Sequence, residues 1–138
     1  MSAPSSTKKP AGRVLRVIYA EDLPELRQLM RLVLNQDGHS LEAFADGSLA
    51  LERIQQGPDD FDLLVTDHHM PTMNGLELVQ QVRRMPFTGR IIVFSSELSP
   101  MVHDDYVALN VDRVLAKPVR PAAFRQLLAD LFPAGHPV

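Results

Sequence analysis

The sequence predicts a doubly wound α/β domain, in which five strands, each followed by a helix, make one parallel sheet covered on both faces. Two observations carry that prediction. Short apolar runs rich in β-branched residues alternate with longer stretches whose apolar residues recur at helical spacing. The polar residues with chemical potential, Glu21-Asp22, Asp67, Ser95 and Lys117, also all fall where a strand ends, which is where ligands bind in such sheets.

Val14 to Ala20 is an apolar run broken by Arg16 and closed by Glu21-Asp22, a strand with carboxylates at its tip. From Leu23 to Asp37 the residues Leu26, Leu29, Met30, Val33 and Leu34 mark an amphipathic helix ended by Gly38. Leu41 to Ala45 is a short strand, Ser48 to Gln56 a helix closed by Gly57, and Phe61 to Thr66 a nearly continuous apolar strand running into Asp67. Asn74 to Met85 reads as a helix with Asn74 as N-cap and Glu77 at its third position. Ile91 to Phe94 is a strand ending at Ser95-Ser96, and Ser99-Pro100 opens the next helix. Val111 to Ala116 is the fifth strand, Lys117-Pro118 its exit, and Pro121 to Phe132 the last helix.

With 138 residues, 45% of them apolar, the chain suffices for one core and is short for two. The expected organisation is a mobile Ser/Pro/Lys-rich tail over 1–12, one domain over 13–133 and a short tail over 134–138. The net charge of -3, with Lys and Arg scattered, offers no footprint for nucleic acid or an anionic membrane. Cysteine is absent, which excludes disulfides and thiolate metal sites and fits a cytoplasmic location. No apolar run approaches the roughly 20 residues that span a bilayer.

Carboxylates of Glu21, Asp22 and Asp67 gathered at one end of a sheet repel one another and stay ionised together when a cation shares the site. Magnesium suits them, as a hard ion that takes one or two carboxylates, water and phosphate oxygens. A hydroxyl from Ser95 and the ammonium of Lys117 at the same rim add the donors and positive charge that phosphoryl transfer needs.

These segments resemble the receiver domains of two-component response regulators, of the single-domain, CheY-like type, over nearly all of 13–132. Asp67-His68-His69-Met70-Pro71-Thr72-Met73-Asn74-Gly75 is similar to the family's phosphorylation loop, Glu21-Asp22 to its acidic pair, and Lys117-Pro118 to its Lys-Pro. The resemblance implies a flavodoxin-like sheet with strand order 2-1-3-4-5. It implies that Asp67 is the phosphoacceptor, Asp22 and Asp67 magnesium ligands with the backbone carbonyl of His69, and Glu21 a ligand through water. Lys117 would hold a phosphoryl oxygen, Ser95 would be the switch hydroxyl, and the amides of His68 and Ser96 would cradle the group, with Lys117-Pro118 cis. The implied partners are a sensor histidine kinase or histidine phosphotransfer protein, and a downstream protein bound by the fourth helix, fifth strand and fifth helix. A signalling switch is expected rather than an enzyme, and the short segment after Phe132, with no helix-turn-helix, points to action through a protein rather than DNA.

The chain departs from the family in three places. Where the family has a switching Tyr or Phe in the fifth strand this chain has Val114, so the signal is expected to travel through the loop after Ser95. Asn110-Val111 replaces a common Gly-Ala. His69 and Glu97, each two residues beyond a key position, are expected to line the path of the hydrolytic water and set phosphoryl lifetime.

Plainer readings stand beside these. Asp22 can serve as an N-cap with Glu25 as its capping-box partner, and Ser96 can replace Ser95. His68-His69 invites a zinc reading, set aside because adjacent loop residues are expected to point apart as exposed histidines. An aspartyl phosphohydrolase needs a second acid two residues after its nucleophile, where this chain has His69; a receiver-like module that binds without phosphorylation is the remaining alternative.

Overall fold

The computed structural model describes residues 13–97 and 99–133. The tails expected over 1–12 and 134–138 lie outside the described residues. In chain order the elements are β1 (Arg16–Ala20), α1 (Pro24–Gln36), β2 (Ser40–Phe44), α2 (Gly47–Gln56), β3 (Leu63–Asp67), α3 (Gly75–Val82), β4 (Arg90–Ser95), α4 (Pro100–Ala108), β5 (Arg113–Ala116) and α5 (Pro121–Leu131). The strands form one parallel sheet in the order β2-β1-β3-β4-β5, the flavodoxin-like order.

Side chains alternate across each strand, so every strand feeds two cores. Val17 and Tyr19 of β1, Leu63 and Val65 of β3, and Ile92 and Phe94 of β4 face α1 and α5, where they meet Leu34, Phe124 and Leu128. Ile18, Leu64, Ile91 and Val93 face the other way and pack with Ile54, Leu78, Val79 and Tyr106. Each fully buried Leu, Ile or Val contributes about 1.5–3 kcal/mol relative to exposure. A charged clamp joins the C-terminal end of α1 to the middle of α5, with Arg125 donating to both oxygens of buried Asp37 at 2.8 and 2.9 Å.

The expected boundaries shift for local reasons. β1 starts at Arg16 rather than Val14, which is exposed, because the ladder with β2 begins at the Arg16–Ser40 pair, and the Asp62 carboxylate accepts from the Arg16 amide at 2.8 Å. α3 ends at Val82 rather than Met85, as Arg84 and Met85 close tight turns onto Gln81 and Val82. Asn110 takes a positive φ of 60° and turns the chain, so β5 begins at Arg113 rather than Val111.

The chain leaves β1 for β2 on one side and returns to β3 on the other, so strand order reverses between β1 and β3. A crevice therefore opens beyond their C-terminal ends, and Glu21, Asp22 and Asp67 sit there. Among the described residues no helix is long and apolar enough to cross a membrane.

Candidate functional site

β1, β3 and β5 deliver the charged groups. Glu21 is completely buried just past β1, where its carboxylate accepts from the Tyr19 hydroxyl at 3.3 Å and the Leu23 amide at 3.2 Å. Arg27, one turn into α1, donates to the Glu21 carbonyl at 2.7 Å and fixes the backbone there. Asp67 ends β3 and is buried, while half-buried Lys117 follows β5. Lys117 Nζ donates to Asp67 Oδ1 at 3.0 Å and lies 3.7 Å from Glu21 Oε1. The Lys117-Pro118 peptide is cis, and the Lys117 amide donates to the Ser95 carbonyl at 2.9 Å.

Glu21, Asp22 and Asp67 each bring a carboxylate oxygen within 4.8 Å of the others. The crowding is felt. Burial, then the charge of Asp67, pushes Glu21 up to about 7, and burial holds Asp67 above its ordinary value against the attraction of Lys117. Burial also works against the charge of Lys117, but the Asp67 hydrogen bond and the surrounding carboxylates outweigh it and hold its pKa high. One ammonium among three carboxylates leaves the pocket short of positive charge, and its all-oxygen donor set suits a hard divalent cation such as Mg2+. Asp22 does not cap α1: Leu23 stands at that position with no side-chain cap, so the capping-box reading with Glu25 is not realised.

Gly75, the first residue of α3, lies against the Asp67 loop. A Cβ there would fall 2.5 Å from the Asp67 carbonyl oxygen and 2.8 Å from Tyr106 Oη, so no other residue type fits without moving them. The Gly75 amide donates to the His68 carbonyl at 2.9 Å, and Asn74 and Glu77 form a full capping box.

Ser95 is buried at the end of β4, and its hydroxyl is engaged by its own loop: it donates to the Glu97 carbonyl at 2.8 Å and accepts from the Glu97 amide at 3.0 Å. Ser96 is exposed. The expectation that the His68 amide cradles the phosphoryl group needs correction. That N–H extends the β3–β4 ladder by donating to the Phe94 carbonyl at 2.8 Å, and it is not available to an anion.

The two histidines also differ from expectation. They do not point apart as exposed loop residues: His68 is buried, and its ring meets that of exposed His69 edge to face at 4.7 Å. Turning in, His68 places Nδ1 2.6 Å from the Tyr106 hydroxyl of α4, while both His69 Nε2, at 3.3 Å, and His68 Nε2, at 3.9 Å, face Glu97 Oε1. Burial, then the neighbouring His69, keeps the His68 pKa below its ordinary value. The sequence reading passed over Tyr106. Its signal was that the Pro100–Asn110 stretch carries one aromatic residue while the usual aromatic of the fifth strand is missing at Val114. Val114 packs on the same apolar cluster as Tyr106.

A model of the response regulator receiver domain matches residues 17–129 of the chain. The chain belongs to that family. Among related receivers, the response regulator receiver protein CpdR of Brucella abortus is 31% identical over 103 residues, covering 75% of this chain and 84% of CpdR. The sensor histidine kinase AruS of Pseudomonas aeruginosa is 32% identical over 133 residues, 92% of this chain but 13% of the kinase. The receiver likewise spans 17% of the sensory/regulatory protein RpfC of Xanthomonas campestris. Among solved structures, the chemotaxis protein CheY4 of Vibrio cholerae superposes with a TM-score of 0.78 at 28% identity, over 86% of this chain and 98% of CheY4. This receiver is therefore a two-component signalling domain whose relatives include free-standing regulators and segments of kinases.

Proposed function

We propose that this receiver is a phosphoacceptor switch, taking a phosphoryl group on Asp67 from the phosphohistidine of a sensor kinase or histidine phosphotransfer protein. The observation that carries the reading is the 3.0 Å contact between Lys117 Nζ and Asp67 Oδ1 at the floor of a pocket walled by Glu21 and Asp22. A carboxylate needs no base to become a nucleophile. An Asp67 oxygen forms the new O–P bond as the P–N bond to the partner imidazole breaks, and the departing imidazole takes its proton from water. Lys117 then neutralises a phosphoryl oxygen while keeping its place in the pocket.

Bound by the carboxylates of Asp22 and Asp67, the backbone carbonyl of His69 and, through water, Glu21, Mg2+ would supply Lewis-acid stabilisation of the phosphoryl charge. Amide donors for the remaining oxygens come from Ser96 and from the loop beyond His68, since the His68 amide is taken by the sheet. Ser95 is the hydroxyl that would leave Glu97 for the phosphoryl group, and its exchange of partners would move the loop leading into α4.

The downstream target docks on α4, β5 and α5. Met101 and Val107 are exposed on α4, and Tyr106 is the one buried side chain of that helix, so little holds it in a single position. Incubation with acetyl phosphate followed by intact-mass analysis tests the switch chemistry. A single phosphoryl adduct that needs both Mg2+ and Asp67, and is absent from Asp67→Asn, is expected; no adduct under any condition overturns the reading and leaves a module that binds without phosphorylation.

A further inference from the structure

The His68–His69–Glu97 cluster is separate in composition from the oxygen pocket beside it. Two imidazole nitrogens and one carboxylate oxygen lie within 4.8 Å of one another, with Glu97 Oε1 at 3.3 Å from His69 Nε2 and 3.9 Å from His68 Nε2. Ligand atoms around a tetrahedral zinc ion, at bonds of about 2.1 Å, sit about 3.4 Å apart. The His69–Glu97 separation already has that value, and the His68–Glu97 separation needs to close by about half an ångström to reach it. The rings cross at 67°, and both Nε2 atoms face the same carboxylate oxygen.

His68 also has the outer support that metal-binding histidines characteristically have. Its Nδ1 lies 2.6 Å from Tyr106 Oη, and in the tautomer that donates this bond the Nε2 lone pair is turned toward the cluster with the ring fixed. Imidazole donors favour borderline ions over Mg2+, whereas the carboxylates of Glu21, Asp22 and Asp67 favour the hard ion. The two neighbouring clusters therefore sort ions by donor type.

We infer that His68, His69 and Glu97 form a second cation site, specific for a divalent transition metal of the zinc class and distinct from the magnesium pocket. Three protein ligands leave one position for water. Bound there, the ion ties the loop after Asp67 to the loop after Ser95, whose Glu97 backbone holds the Ser95 hydroxyl.

Isothermal titration of the full chain with Zn2+, in buffer carrying millimolar Mg2+ to fill the acidic pocket, tests the site. One equivalent of Zn2+ should bind, weakened at least about tenfold in His69→Ala and in Glu97→Gln and unchanged in Asp22→Asn and His103→Ala. His69 and Glu97 are both exposed, so their substitution leaves the core intact. Absence of binding, binding unaltered by His69→Ala and Glu97→Gln, or loss of binding in Asp22→Asn would each overturn the proposal. The mass-adduct experiment on Asp67 is read separately, so failure of one site does not stand for failure of the other.

Discussion

Nδ1 of His68 and Oη of Tyr106 lie 2.6 Å apart, joining the residue next to Asp67 directly to helix α4. Tyr106 is fully buried and its ring sits edge-on to His68 at 5.5 Å. In a fold whose fifth strand offers Val114 rather than an aromatic ring, this contact is a direct packing link from the residue after Asp67 to α4, separate from the loop after Ser95.

Removing the Tyr106 hydroxyl keeps the ring and deletes the link. Tyr106→Phe should lower stability by about 1 kcal/mol, the net worth of a typical hydrogen bond, and Tyr106→Ala by about 3–5 kcal/mol through the cavity it leaves. Denaturant unfolding gives both values, and hydrogen exchange should show α4 opening faster in Tyr106→Phe while β1 and β3 keep wild-type protection. Equal protection of α4 in the two proteins would show that the hydroxyl does not pin the helix.

Gly75→Ala forces a Cβ against backbone as well as against Tyr106 Oη. The neighbouring Asp67 carbonyl cannot move without carrying the acceptor with it. A loss of about 1–3 kcal/mol is expected, accompanied by slower phosphoryl uptake than in Tyr106→Phe. Wild-type stability and uptake would mean that the loop yields freely.

Glu21 holds its proton more tightly folded, at about 7, than its ordinary value of 4.5 allows when the chain is unfolded. Between those values the folded state binds the extra proton, so the metal-free protein should lose stability as pH rises from about 4.5 to about 7. A divalent cation offsets the carboxylate charge that appears. The rise in melting temperature on adding Mg2+ should thus be larger near pH 8 than near pH 6, with the difference reduced in Glu21→Gln.

His69 and Glu97 stand 3.3 Å apart beside the pocket, where they bridge the loops that follow Asp67 and Ser95. If water reaches the acyl phosphate past this pair, His69→Ala and Glu97→Ala each change the dephosphorylation rate, and the double variant shows little beyond the larger single effect. Unchanged rates in both single variants would remove the pair from the hydrolytic path.

The parallel sheet and the positions of Glu21, Asp22, Asp67 and Lys117 were legible because each rests on a local signal, an apolar run of strand length with a polar residue at its end, whereas the strand order came from the family resemblance. Side-chain direction on the Asp67 loop was not. Adjacent residues of an extended strand alternate, but His68 and His69 lie just beyond β3, where the chain turns and the rings converge. The fate of the His68 amide depended on its pairing with β4, a contact between residues far apart in sequence. Tyr106 was hidden for the same reason, since its partner lies 38 residues earlier in the chain.

The direct test of Asp67 as acceptor is borohydride trapping after transfer from a phosphorylated histidine phosphotransfer domain, which reduces an aspartyl phosphate to homoserine that peptide mass spectrometry can locate. Homoserine at position 67, dependent on Mg2+ and on the phosphodonor, is the expected result. Homoserine at another aspartate, or none while the donor loses its phosphoryl group to this chain, would contradict it.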